Sequence, residues 1–357
     1  MSVLVIAEAG VNHNGDAAMA VKLIDAAAEA GADAVKFQTF SADEVAVPSA
    51  PKAAYQMEST AAAESQLDMI RKLELDRDAH RDLLAHSRKR GIRFLSSPFD
   101  LASLDFLVKD MKLDTLKIPS GEITNGPMLL AAGRSGCAII LSTGMATLDE
   151  IGRALGVLAF SMAGGRGEPT AEAFAAAFAS PAGRDALARR VTLLHCTTAY
   201  PTPYADANLR AMATMRDAFG LAVGYSDHTP GIAVAAAAVA LGARVIEKHF
   251  TLDRTLPGPD HKASLEPGEL KAMIGQIRAV EDALGDGDKA PAPSERANMD
   301  IARKSLVTLK PVKAGEPFTT DNLGIKRPGG GVSPMEYWRW LGRPAPRDFP
   351  AGALVGE

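Results

Sequence analysis

Only two cysteines, Cys137 and Cys196, occur in 357 residues. Both lie in apolar runs, which excludes a disulfide framework and predicts two buried thiols of a reducing compartment. No block of lysine or arginine is present, and a net charge of -4 with a pI near 6.0 gives no footprint for a long polyanion. A bound phosphate should therefore be small and locally clamped, and nucleic acid is not an expected partner. No glycine-rich phosphate loop of the Walker kind occurs, which disfavours nucleotide chemistry. No apolar run reaches the length of a membrane span, and MSVLVIAEAG shows no basic n-region followed by a long apolar h-region. A cytoplasmic protein with no membrane contact is expected. Aromatics are sparse at 5%, whereas hydrophobic residues reach 47% and charged residues 23%, the profile of a globular chain. Alanine carries much of the apolar share and points to helices.

Short runs rich in Val, Ile, Leu and Phe recur, each followed by a helical pattern. Strands are predicted over 3–10, 33–40, 92–99, 115–121, 138–145, 191–200, 221–228 and 244–252, with helices such as 16–30, 76–90 and 265–284 between them. Eight such repeats fit a closed (β/α)8 TIM barrel better than an open doubly wound sheet. The long polar connection 41–75 after strand 2 is expected to cover the active site. An Ala-rich insertion, 164–190, carries no readable motif. After residue 284 comes the linker GDGDKAPAPSE and then a small β-rich module.

In such a barrel, polar groups at the C-terminal strand ends line the active site. Nearly every predicted strand ends in them: Glu8; Lys36 and Gln38; Ser96 and Ser97; Lys117, Ser120 and Glu122; Ser142 and Thr143; Thr197, Thr198 and Tyr200; Ser226, Asp227 and His228; Glu247, Lys248 and His249. One alone reads as a cap or a salt bridge. Together they point to a ligand, because burying so many polar groups without one would be costly. Lys36 and Lys117 with Ser97, Ser120, Ser142 and Thr198 suit a small phosphate or phosphorylated carboxylate. His228 and His249 end neighbouring strands, where two imidazoles can share a divalent ion with open positions for water or substrate. Spacing alone leaves that pairing open. Glu247 shares a face with His249, in position to orient it or its water. Asp260 is either a turn residue or a holder of substrate hydroxyls, and His13 reads as a loop or cap residue. Asp227 and Ser226 are expected to brace the turn at His228, with Thr229, Pro230 and Gly231 starting the next helix.

The motifs EAGVNHNG, KFQTF, FLSSPFD, KIPSGE, ILSTGM, LLHCTTAYPTP, GYSDHT, EKHFT and GPDHKAS, in this order, resemble the sialic acid (nonulosonic acid) synthase family. Its members condense phosphoenolpyruvate with an N-acylmannosamine-type sugar. The resemblance implies a barrel over 1–284, a linker over 285–299 and a C-terminal antifreeze-like (SAF) domain over 300–357. It also implies a domain-swapped homodimer in which each small domain leans over the partner's site. It makes His228 and His249 ligands of a divalent ion, usually Mn2+, with Mg2+ or Co2+ as alternatives. Lys36, Ser97, Lys117, Ser120 and Ser142 become the phosphoenolpyruvate clamp, with Thr198 beside it. Glu8, Gln38, Tyr200 and Asp260 fall where the family holds the sugar, Glu8 also being a candidate for proton transfer. Arg327 falls where an arginine reaches across the dimer toward the sugar's N-acyl group. Two departures stand out. Ser97 replaces a common threonine, and Thr198 replaces the asparagine of sialic acid synthases proper. With KFQTF and the run YQMEST to ESQLDMIRKLEL, this looks more like the legionaminic acid synthase branch, whose acceptor is 2,4-diacetamido-2,4,6-trideoxymannose. An N-acetylneuraminate synthase using N-acetylmannosamine is the alternative, and a metal-dependent pyruvate aldolase a more remote one.

Overall fold

The computed structural model describes residues 2–53, 56, 57, 60 and 64–356. The chain divides between Gly285 and Asp286 into two compact units. The first carries eight parallel strands: β1 (Leu4–Gly10), β2 (Ala34–Thr39), β3 (Arg93–Pro98), β4 (Thr115–Ile118), β5 (Ala138–Ser142), β6 (Val191–Cys196), β7 (Ala222–Asp227) and β8 (Val245–His249). Their ladder order is β3-β2-β1-β8-β7-β6-β5-β4, and β3 packs against β4 to close the ring. All eight predicted strands form, shortened by one to four residues where the polar strand ends leave the ladder.

Side chains alternate across a strand, so residues two apart share a face. That rule organises the lumen. Ile6, Ala34, Leu95, Ile140, Leu194 and Val245 pack together as an apolar plug. Two residues further along the same strands stand Glu8, Lys36, Ser97, Ser142, Cys196 and Glu247, all of them buried. The apolar plug is the floor beneath a polar layer, and it keeps that layer out of bulk water. The outward faces of the strands pack against the helices, with Leu23, Ile24, Leu83 and Leu107 almost fully buried. Each such side chain stabilises the fold by roughly 1.5–3 kcal/mol.

The helices start and stop where local chemistry directs. The Asp76 side chain accepts from the Ala79 N–H to cap helix Arg77–Arg90, which ends at Gly91 with φ +70. The helix after β7 starts at Ala233, later than its sequence suggests. The Thr229 N–H and hydroxyl both donate to Asp227 Oδ1, at 2.9 and 2.7 Å, and Gly231 takes φ +69, so residues 229–231 form a turn instead. The insertion folds as two helices, Ala171–Ala179 and Pro181–Arg190. It packs on helix Leu148–Met162 through Phe174, whose ring lies 5.4 Å from that of Phe160.

The second unit pairs β9 (Ser305–Thr308) with β10 (Leu323–Lys326) antiparallel. Its own core holds Leu306, Val312, Phe318, Leu323, Trp340 and Phe349. Among the described residues no helix is long and apolar enough to cross a membrane.

Candidate active site

A cavity of about 300 Å³ opens at the C-terminal ends of the strands. Glu8, Lys36, Gln38, Ser97, Lys117, Ser120, Ser142, Thr198, Tyr200, His228, His249 and Asp260 all line it. The fold thus brings together every barrel residue that the sequence singles out for substrate or metal. Arg327 lies in the second unit, where its Nε donates to Ala302 O at 3.1 Å.

Four charged side chains occupy the polar layer. Lys36 Nζ lies 2.8 Å from Glu8 Oε2 and 3.7 Å from Glu247 Oε2, and Lys117 Nζ lies 3.2 Å from Glu247 Oε1. Burial opposes the charge on Glu247, but Lys117 and Lys36 outweigh it and hold this carboxyl at about 2. Burial pushes Glu8 up to about 7, Lys36 resisting and Glu247 adding to the rise. The 2.8 Å contact with Lys36 does not prevent this, because that lysine is shared with the more firmly ionised Glu247. Two lysines therefore face one firmly ionised carboxylate, an arrangement with cationic capacity to spare for a small anion. Glu247 faces these lysines and Ser226, whose hydroxyl donates to its Oε1 at 3.0 Å, while its buried Oε2 has no hydrogen bond. This corrects one expectation, since Ser226 faces the lumen instead of bracing the turn; Glu247 makes no hydrogen bond to His249 itself. The closed ring sets Lys36 and Lys117 within reach of β8, which their positions in sequence do not reveal.

The hydroxyls sit around the lysines. Lys36 Nζ donates to Ser97 Oγ at 3.1 Å, and Ser142 Oγ is buried with no partner. The Gly144 N–H donates to Ser120 Oγ at 3.0 Å. A Cβ built on Gly144 would stand 2.4 Å from Thr198 Oγ1, 2.8 Å from Ser120 Oγ and 2.9 Å from Cys196 Sγ. Glycine is what leaves this cradle open, a signal present in the ILSTGM motif that strand-end polarity does not pick out.

The two histidines meet as the strand order implies, with ring centroids 5.6 Å apart. Tyr200 packs against both, at 4.2 Å from His228 and 5.7 Å from His249. His228 Nδ1–H donates to Thr197 O at 2.7 Å, which turns the lone pair of Nε2 toward the cavity. His249 Nδ1 is buried without a hydrogen bond, 3.8 Å from Asp260 Oδ2. Burial lowers His228 to about 4 and holds His249 well below its ordinary value, so both rings are neutral. Burial raises Asp260 to about 6. Neutral imidazoles with an unspent nitrogen fit a divalent ion. Among the described residues no group of three or more His, Cys, Asp or Glu converges as a metal cage, so water or substrate would complete the coordination.

Other strand-end residues turn away from the lumen. Lys248 pairs with Asp227 at 2.9 Å and donates to Thr229 O at 2.6 Å, both side chains being almost fully buried. This pair ties β8 to the turn that carries His228. Ser96 and Thr143 likewise bond outward, to Phe37 O and Leu194 O. His13 caps its own loop, its Nδ1 accepting from the Gly15 N–H at 3.0 Å. The 41–75 connection does reach the cavity, through Val45, Gln56, Gln66, Met69, Ile70 and Leu73. Of its YQMEST run, residues 55, 58 and 59 lie outside the described residues.

The sequence profile of the NeuB family matches residues 23–289, and that of the SAF domain residues 303–356. The chain belongs to the NeuB family. This NeuB-family chain is 51% identical over 354 residues to an N,N'-diacetyllegionaminic acid synthase of Campylobacter jejuni, covering 99% of each chain. It is 41% identical to a protein of the same name from Legionella pneumophila, over 99% of this chain and 94% of that one. A crystal structure of the N-acetylneuraminic acid synthetase of Leptospira borgpetersenii superposes with a TM-score of 0.67 at 34% identity, covering 84% of this chain and 90% of that one.

Proposed function

We propose that this NeuB-family chain, a phosphoenolpyruvate-dependent carbon–carbon bond-forming transferase, is an N,N'-diacetyllegionaminate synthase. Its acceptor would be 2,4-diacetamido-2,4,6-trideoxymannose. One observation carries the reading: a two-lysine, many-hydroxyl anion clamp stands in one cavity with two neutral histidines whose rings lie 5.6 Å apart. Full-length similarity to two proteins of that name supports the choice of acceptor.

Lys36 and Lys117 neutralise the phosphate and carboxylate of phosphoenolpyruvate, and Ser97, Ser120, Ser142 and Thr198 orient it. C3 of the enol attacks the aldehyde carbon of the open-chain sugar, forming the new bond. Water adds at C2, and the tetrahedral product expels phosphate to leave a nine-carbon 2-keto acid. A divalent ion on His228 and His249, Mn2+ with Mg2+ or Co2+ as alternatives, would supply Lewis acidity at the aldehyde oxygen. Glu8, raised to about 7, is placed to give or take a proton near neutral pH. Gln38, Tyr200 and Asp260 hold the sugar. The reading includes a cytoplasmic homodimer in which Arg327 serves the partner's sugar site, so Arg327→Ala should raise KM for the sugar far more than for phosphoenolpyruvate.

The test is phosphate release from phosphoenolpyruvate with three acceptors: the trideoxy sugar, its pseudaminate-type isomer and N-acetylmannosamine. Preference for the first is expected, together with label from oxygen-18 water in the product keto group. Keto acid formed without phosphate release would instead mark a pyruvate aldolase.

A further inference from the structure

Four apolar side chains that line the cavity, Phe40, Val45, Ile70 and Phe99, take no part in the chemistry above. Along β2 and just beyond it, the inward residues run Lys36, Gln38, Phe40, and along β3 they run Leu95, Ser97, Phe99, each two on from the last. Polarity therefore falls from the ionic layer outward on these two strands. The Phe40 and Phe99 rings meet edge to face with centroids 6.2 Å apart. Val45 and Ile70, from the connection after β2, line the cavity with them. That connection is held near its ends: the Ser41 N–H donates to Asp100 Oδ2 and the Ala42 N–H to Glu74 Oε2, both at 3.0 Å.

The mouth is thus layered. Ions and imidazoles stand in the layer of Glu8, Lys36, Lys117, Glu247, His228 and His249, and outward of it Phe40, Val45, Ile70 and Phe99 bring hydrocarbon from β2, β3 and the connection between them, alongside Gln56 and Gln66. Hydrocarbon lining a cavity gains only from hydrocarbon on the ligand. Phosphoenolpyruvate, small and polyanionic, has none to spare. The acceptor has to bring it.

We propose, resting on the synthase reading above, that Phe40, Val45, Ile70 and Phe99 form the wall that selects a 6-deoxy acceptor. The wall packs against the C6 methyl and the methyl of the 4-acetamido group, at the end of the sugar remote from its aldehyde. It rejects a C6 hydroxymethyl and a C4 hydroxyl because these side chains offer them no hydrogen bond.

The experiment compares kcat/KM, read as phosphate release with Mn2+, for 2,4-diacetamido-2,4,6-trideoxymannose, 2-acetamido-2,6-dideoxymannose and N-acetylmannosamine. The native chain should prefer the first over the last by roughly 10- to 200-fold, with the dideoxy sugar between them. Ile70→Asn should cut that ratio by about tenfold through KM for the sugar, leaving KM for phosphoenolpyruvate unchanged, while Ile70→Met keeps the ratio. Val45→Asn, at a site 37% exposed, repeats the test where the fold tolerates a polar group. An unchanged ratio in the asparagine variants overturns the wall. Equal turnover of all three sugars by the native chain overturns it and the choice of acceptor, yet leaves the phosphoenolpyruvate-dependent synthase activity standing. No phosphate release with any sugar overturns all three.

Discussion

His80 and His228 are buried histidines with the same first hydrogen bond. In each, Nδ1 faces a backbone carbonyl, Asp76 O at 2.9 Å and Thr197 O at 2.7 Å. A carbonyl only accepts, so both rings carry their proton on Nδ1. The second nitrogen separates them. His80 Nε2 takes the Thr39 hydroxyl at 2.9 Å, which in turn meets Ser96 Oγ at 2.7 Å. His228 Nε2 has only Ser226 Oγ at 3.5 Å and opens on the cavity beside His249. Burial lowers the basicity of both rings, so a depressed pKa does not tell a structural histidine from a ligand. The hydrogen-bond inventory does: a histidine with both nitrogens spent belongs to the scaffold, and one with a lone pair left belongs to the site.

The sharpest way to break this comparison is to exchange the effects. His249→Ala should lower kcat by at least about 1000-fold and abolish Mn2+ binding in EPR titrations, with circular dichroism unchanged. His80→Ala should leave the Mn2+ affinity where it was. Full activity in the first variant, or lost metal in the second, would erase the distinction. Next in size is the buried pair behind His228. Lys248→Met strands Asp227 without its cation and should cost about 3–5 kcal/mol in urea unfolding, whereas Asp227→Asn combined with Lys248→Met should recover most of it. His80→Ala itself removes one of two hydrogen bonds at Thr39 Oγ1 and one of two at Asp76 O, a loss of about 1–3 kcal/mol by the same assay.

The smallest effect is a pH limb that both regions share. A histidine held below its ordinary 6.5 stays neutral when folded and takes up its proton on unfolding. Its stabilisation is therefore complete above pH 6.5 and drains away as pH falls; for His228 this runs down to about 4. Between pH 7 and 5 the His228 ring withdraws up to about 2 kcal/mol, and His80 acts in the same direction. Urea midpoints should fall over that range in the native protein and fall less in His80→Gln; an equal drop in the variant would take His80 out of the limb.

Much of the site is legible in the sequence, because a period of two names the inward residues once a strand is recognised. Glu8, Lys36, Ser97, Lys117, Ser142, Glu247 and His249 all follow from it. The pattern is ambiguous where two polar neighbours compete for one direction. Ser226 faces in while Asp227 faces out, and Ser142 faces in while Thr143 faces out, a choice made by pleat phase alone. It is silent on partners: Glu247 is close in sequence to His249, yet it is bonded to Ser226 and the lysines. The apolar wall of Phe40, Val45, Ile70 and Phe99 carries no polar signal at all.

What the sequence determined by itself was the alternation of strand and helix and, within each strand, which chemistry points to one side. Those are local properties, set by side-chain pattern and backbone geometry over a few residues. What only the tertiary structure decided was adjacency. Glu8 pairs in register with Lys36 on β2 and with His249 on β8. Residues at opposite ends of the barrel segment become neighbours because a closed sheet has no edge, and β1 must lie between β2 and β8. The carboxyl near neutrality, the shared lysine and the paired histidines are products of that closure.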